Sequence, residues 1–364
     1  MNAFQMKKQT IFDEKTGKKI WKFYIDDCDC VAPYMYFQAF SADEKYVIFS
    51  SNKTGIFELY RMEIESLETT QITEGFGKCY NYTCFDRHVI WNDGKRIFCA
   101  DIETLDRIVL LEKKSEWTEI FGGPAISERG KWVVSFYKNE SGNTGIAYKK
   151  LTDSKQNIGT YVLPEKCQRV SHLLAAPSEK LSITFNILPD RQNDFSLPPD
   201  KRARAWKLDI ENEKLEQFLV MPAGFRATHE YWGHDANDRL YFHKKTVPSW
   251  VPAFISSIDI NGNDYKEHFC SEKRFLGHSA ISMDNKLIVS DVQQQKENEL
   301  YIINIETGKS EILCWPNSSC NPERNQLGHV HPSFSSKGNY VIFTSDRDGK
   351  SSVFIVLHIK DMLD

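Results

Sequence analysis

Seven copies of one turn-and-strand pattern run through this chain, and no other feature restricts its fold as much. Three copies are clear: YFQAFSADEKYVIFSSNKTGIFELYRMEIESLETTQIT from Tyr36, GPAISERGKWVVSFYKNESGNTGIAYKKL from Gly123 and HPSFSSKGNYVIFTSDRDGKSSVFIVLHI from His331. Each opens on a short apolar strand and a polar turn. An alternating β-rich strand follows, then a Gly/Asn/Asp turn, then a third strand. This is an antiparallel meander with hairpin chemistry where hairpins need it. Weaker copies start at Asn81, His172, His229 and His278, and many end in a fourth short strand after an acidic turn, as in IETLDRIVLL and IETGKSEIL. The starts lie roughly 42 to 58 residues apart, the blade length of a β-propeller. The expected fold is therefore all-β: a seven-bladed β-propeller with four-stranded antiparallel blades, forming one domain over residues 1–364. The N-terminal stretch QTIFDEKTGKKIWKFY reads as an outer strand pair that closes the last blade and so removes open sheet edges. A β-sandwich would need fewer strands and would leave the even spacing unexplained. No helical periodicity of convincing length is present. The Pro-rich, charged segment 187–202 reads as a loop.

Composition fits such a fold and narrows the function. A 41% hydrophobic and 13% aromatic chain of 364 residues can bury a sizeable core. Its net charge of −4 argues against a basic nucleic-acid-binding domain. No apolar stretch approaches the roughly 20 residues of a membrane helix, and the first residues contain no apolar signal region. Of nine cysteines only Cys28 and Cys30 are close together, so a zinc ribbon is not expected. Scattered cysteines fit reduced thiols in a cytoplasmic protein.

Superimposing the copies brings out the histidines. His172 lies 13 residues before Phe185, His229 13 before Phe242, His278 12 before Ser290 and His331 12 before Phe343. The fourth to seventh blades thus each carry a histidine near the start of the first strand, in a chain with only ten. First strands of propeller blades are innermost, so residues near one end of them converge. His329 and His331 are two apart and point to the same side of a strand. Gln326 precedes them in Gln326-Leu-Gly-His329-Val-His331. A single strand histidine is usually hydrogen-bonded in place. Five imidazoles converging on one mouth point instead to a metal or catalytic site, since imidazole is the commonest metal ligand and general base.

Other chemistry has little support. There is no GxSxG elbow, no Walker A and no GxGxxG. Arg204, in Lys201-Arg202-Ala-Arg204 just before Trp206, stands at a loop-to-strand junction. It reads either as an anion-binding arginine or as part of a solvated loop. His243-Lys244-Lys245 adds positive charge nearby or is simply solvated. His172 and Tyr36 are candidate substrate contacts.

At these residues the chain resembles the oligogalacturonate lyase family of seven-bladed propellers. The shared motifs are Arg204-Ala-Trp206, His229-Glu230-Tyr231-Trp232, a lone His278 opening the sixth blade, and Gln326-x-x-His329-x-His331 followed by a Pro-Ser-Phe strand. The order of these motifs is more specific than any one of them. The chain departs from the family at Phe185-Asn186-Ile187, where a further histidine often stands. The resemblance implies that His278, Gln326, His329 and His331 hold a divalent first-row metal, Mn2+ above all. It also implies that His229 is the catalytic base and that Arg204 neutralises a substrate carboxylate. The implied reaction is β-elimination on an acidic oligosaccharide, with no nucleic-acid or membrane partner. Two alternatives remain open: a TolB-like interaction module without enzymatic activity, and a lyase or epimerase for another acidic sugar.

Overall fold

The computed structural model describes residues 3–152, 157–188, 202–293, 298–357 and 359. Seven antiparallel sheets follow one another in chain order, the sheet pattern of a seven-bladed β-propeller. The only helical elements among the described residues are short 3₁₀ turns, including Glu165–Cys167 and Pro322–Gly328, and none is long and apolar enough to cross a membrane. No two of the nine cysteines are joined in a disulfide. Most of the loop expected at 187–202 lies outside the described residues; Ile187 itself ends the strand Ser182–Ile187.

Blades are four-stranded in five sheets and five-stranded in two. The N-terminus accounts for the difference. Lys7–Phe12 and Lys19–Tyr24 extend the last sheet, with Ile20 opposite Val356 and Phe23 opposite Val353, so the N-terminal pair closes that blade as its pattern predicts. Ahead of this pair, Ala3–Gln5 adds to the outer strand Glu68–Gln71 of the first sheet. The first copy also departs from expectation. Instead of a continuous strand from Tyr36, the chain forms a short strand, Cys30–Val31, and an isolated bridge from Phe40 to Val47. Pro33, which cannot donate to a ladder, lies between them, and a turn closes from the Phe37 N–H to the Tyr34 carbonyl at 2.8 Å. Tyr34 and Tyr36 therefore sit on a turn.

Contacts gather the chain into two compact units. One comprises Met1–Val89, Asp101–Asp106 and Arg274–Asp364; the other comprises Ile90–Ala100 and Arg107–Lys273. The first holds the first, sixth and seventh sheets whole, and the second holds the third, fourth and fifth. In the first unit the strand Lys19–Tyr24 is buried on both faces. Phe23 packs with Phe49, Tyr60, Val353 and Ile355, and Ile20 with Phe343, Phe354 and Val356. In the second unit Val134, Phe136, Ile146, Ile183, Phe185 and Leu208 form the core.

The closing strand therefore contributes core as well as hydrogen bonds. Phe23 is fully buried, and removing a buried phenyl group typically costs about 3–5 kcal/mol. Phe23→Ala is expected to destabilise the protein by that amount, measured as a lower urea midpoint at unchanged slope.

Candidate functional site

Four of the predicted site residues, His172, His229, His278 and His331, sit where first strands slip register. Against its neighbour, the strand Val170–Ala175 shifts between Ser171 and Leu174, Phe225–Trp232 between Thr228 and Tyr231, and Leu276–Ile281 between Leu276 and Ser279. At each slip two residues stand opposite one, a β-bulge that re-aims side chains. His172 and His229 take the first bulge place, with φ of 51° and 55°. The same arrangement precedes Ser333–Phe334. Ser333 pairs with Ile342, while the Val330 carbonyl accepts the Thr344 N–H at 2.9 Å, so His331 and Pro332 stand opposite Phe343. His331 has φ of 45°. Left-handed backbone at a non-glycine residue costs about 1–3 kcal/mol and gathers at functional sites. His278 differs. It takes the second bulge place, behind Gly277, so its blade equivalent is Glu230 and not His229. The sequence spacing missed this one-residue offset because the bulge and the hairpin lengths shift the count together.

One group of side chains lies in the first unit. His278, His329 and His331 present ligand nitrogens all within 4.8 Å of one another. Their ring centroids are 4.4 Å apart for His278 and His331, and 5.5 Å for each of the other two pairs. His331 is fully buried, and neither of its ring nitrogens has a hydrogen-bond partner among the described residues. Its pKa lies well below the ordinary imidazole value because burial, then His278 and His329, disfavour the cation. His329 is lowered too, first by burial and then by His278. Gln326 is on the 3₁₀ turn Pro322–Gly328, which kinks at Asn325 with φ of 50°. Its carbonyl accepts the His329 N–H and the Tyr80 hydroxyl, both at 3.1 Å. Its side-chain Oε1 is buried with no hydrogen-bond partner among the described residues. Neutral imidazoles and an orphaned amide oxygen suit a divalent first-row cation, which would satisfy these acceptors.

Aromatic rings wall this group. Tyr34 lies 4.6 Å from the His331 ring and 5.7 Å from that of His278; Tyr80 lies 5.7 Å from His331. Tyr36, the predicted contact, packs against Tyr34 at 4.8 Å. Neither Tyr34 nor Tyr80 was signalled by the sequence, since neither shares a repeat position with the histidines.

A second group lies in the other unit. Glu230, at the second bulge place, is 2% exposed. Its carboxylate accepts Arg204 Nε at 2.7 Å and Asn186 Nδ2 at 3.0 Å. Burial acts to raise its pKa, but Arg204, His172 and these hydrogen bonds together hold it below the ordinary value. Arg204 is thus a mostly buried arginine anchored through Nε and not a solvated loop residue. Asn186, the departure from the family pattern, is one of the two groups that hold this carboxylate. His229 meets the ring of His243 edge-on at 5.7 Å, and His172 Nδ1 lies 3.0 Å from Ser171 Oγ. The basic run His243-Lys244-Lys245 is not solvated. His243 and Lys245 are fully buried, and Lys244 pairs with Glu267 at 2.8 Å.

The Arg204–Glu230 pair gives the fold a pH signature. A carboxyl with a depressed native pKa contributes stability above its unfolded value and loses it as pH falls through the native one. Breaking a buried ion pair from one side costs about 3–5 kcal/mol. Glu230→Gln is expected to lose that much stability at neutral pH. The gap to the parent should shrink in acid, once pH falls below the ordinary glutamate pKa of about 4.3. Urea titrations at neutral and acid pH measure both effects.

No family model matches the chain. It is 22% identical over 379 residues to an oligogalacturonate lyase of Dickeya dadantii, covering 95% of each. It is 24% identical over 390 residues to an oligogalacturonide lyase of Pectobacterium atrosepticum, covering 97% of each. Among solved structures, an oligogalacturonate lyase in complex with manganese superimposes with a TM-score of 0.84 at 19% identity, over 100% of this chain and 99% of that one. An oligogalacturonate lyase of Vibrio parahaemolyticus superimposes with a TM-score of 0.81 at 18% identity, over 98% of both. The chain is thus similar to oligogalacturonate lyases along nearly its whole length, and it shares the fold of the two solved ones.

Proposed function

We propose that this protein is a metal-dependent lyase that cleaves short oligogalacturonates, or closely related uronates, by β-elimination. The convergence of His278, His329 and His331, with both His331 nitrogens buried and unsatisfied, carries this reading. The relatives of the chain support it. The C5 proton of a uronate lies α to a carboxylate and is only weakly acidic while that carboxylate keeps its full charge. Arg204, anchored through Nε to Glu230, offers the planar cation that suits a carboxylate. His278, His329, His331 and Gln326 would hold a divalent ion, which would supply a second positive charge beside the substrate carboxylate. His229 takes the C5 proton as a neutral imidazole, whose ordinary pKa near 6.5 suits a general base. The electron pair forms the C4–C5 double bond, the glycosidic C4–O bond breaks, and the departing oxygen is protonated. His172 and Tyr36 remain the proposed substrate contacts.

The test is the ultraviolet absorbance of the unsaturated uronate product, followed on a panel of short uronates with Mn2+ or with chelator. Metal-dependent growth of absorbance on oligogalacturonates is the expected result. Growth only on another uronate moves the substrate. Exchange of the C5 proton without cleavage indicates an epimerase. Neither cleavage nor exchange on any uronate, with no metal bound, leaves an interaction module.

A further inference from the structure

His278 reaches the metal group by a different device from its neighbours. His331 is aimed by a left-handed backbone at the first bulge place, as are His172 and His229. In the sixth blade that first place belongs to Gly277. A Cβ there would overlap Asp291 Oδ1 and would stand 2.7 Å from Gln293 Cβ. The missing side chain lets the Asp291 carboxylate close onto the backbone. Its Oδ1 accepts the His278 N–H at 2.5 Å, and its Oδ2 lies 3.1 Å from His278 Nδ1. Both residues are buried, Asp291 at 1% exposure and His278 at 2%.

We infer that Asp291, admitted by Gly277, is the positioning residue of the metal group: it holds His278 as the Nδ1–H tautomer and leaves Nε2 to the ion. The inference rests on the metal reading above. A carboxylate is an acceptor only, so with Oδ1 on the backbone N–H, Oδ2 can meet Nδ1 only by taking a hydrogen bond from it. The proton on Nδ1 leaves Nε2 of the neutral ring with its lone pair. Outer partners of this kind orient a ligating imidazole and raise its basicity. An amide at the same place reverses the outcome. An asparagine whose oxygen keeps the backbone N–H turns its NH2 toward Nδ1. Nδ1 then becomes the acceptor, and the ring proton moves to Nε2, the atom the ion needs.

Asp291→Asn is nearly the same size, which makes it the discriminating variant. Mn2+ titration of the full chain, followed by paramagnetic resonance of the free ion, should show about 10–100-fold weaker binding than the parent. The melting temperature in chelator should change little. Gly277→Ala should weaken binding in the same direction, because it displaces the carboxylate. If Asp291→Asn binds Mn2+ as the parent does, the inference is overturned. If the variant does not fold, nitrogen-15 spectra of the metal-free parent decide, with the His278 ring assigned by its absence from His278→Gln. A proton on Nδ1 supports the inference, and a proton on Nε2 alone overturns it. A parent that takes up no Mn2+ overturns the metal reading itself and the inference with it. That outcome is distinct from a parent that binds and an Asp291→Asn variant that binds equally well.

Discussion

His229→Ala is expected to lower the rate of oligogalacturonate elimination by about 10²–10⁴-fold, the usual cost of losing a general base. Mn2+ content should stay at the parent level, because none of the three clustered histidines is touched. The backbone at His229 complicates the variant, since φ there is 55°. Alanine in left-handed backbone costs about 1–2 kcal/mol, so part of any loss could come from a relaxed bulge. His229→Asn separates the two causes, because asparagine tolerates this conformation but cannot act as a base near neutral pH. Both variants should show this loss of rate, and the asparagine variant should melt closer to the parent. Initial rates from product absorbance, metal analysis and melting curves make the comparison. Near-normal turnover in His229→Asn would place the base elsewhere. His172 would then be tested next, since it holds the same bulge place one blade earlier with φ of 51°.

The repeat was legible because hairpin turns and apolar alternation are local properties, and each copy states them again. The closing pair Lys7–Phe12 and Lys19–Tyr24 was legible for the same reason: its alternation matches an outer hairpin. Ala3–Gln5 was not, as three residues carry no period. Bulges were the harder obstacle. A strand register read from spacing assumes two residues per repeat, and a single inserted residue puts everything beyond it on the other face. That is why His278 was set level with His229, when its structural counterpart is Glu230. Glu230 carried no role of its own in the sequence pattern, whereas the structure makes it the buried carboxylate that anchors Arg204. Asp291 lies 13 residues beyond His278 on the next strand, and only pairing across the bulge brings it there. Tyr34 comes from a turn that interrupts the first copy, so no repeat position pointed to it. The clustering of His278, His329 and His331 was legible all the same, because clustering tolerates an offset of one residue, whereas hydrogen-bond partnership does not.

The same local strain shapes what losing the metal should do. His331 is fully buried with two unsatisfied nitrogens, in left-handed backbone. Each unsatisfied buried polar group costs about 1–3 kcal/mol, so the metal-free protein carries a cost of which a bound cation would relieve the share of the lone-pair nitrogen. Two results are expected of His331→Ala. Without metal, its melting temperature should lie close to that of the parent, because losing the unsatisfied nitrogens offsets the lost packing and the cost of alanine in left-handed backbone. With Mn2+ at about 100 times the parent's dissociation constant, the parent should gain about 2.7 kcal/mol of stability, whereas the variant should gain almost none. Elimination should fall by about 10³-fold or more, since a metal's charge stabilisation contributes several kcal/mol to a transition state. Chelation of the parent should reproduce that loss, and Mn2+ should restore the parent but not the variant. Melting curves with Mn2+ and with chelator, run beside product absorbance, measure every part of this. A variant that keeps the parent's full Mn2+-induced rise in melting temperature would show that the ion binds without His331, and the three-histidine site would have to be given up.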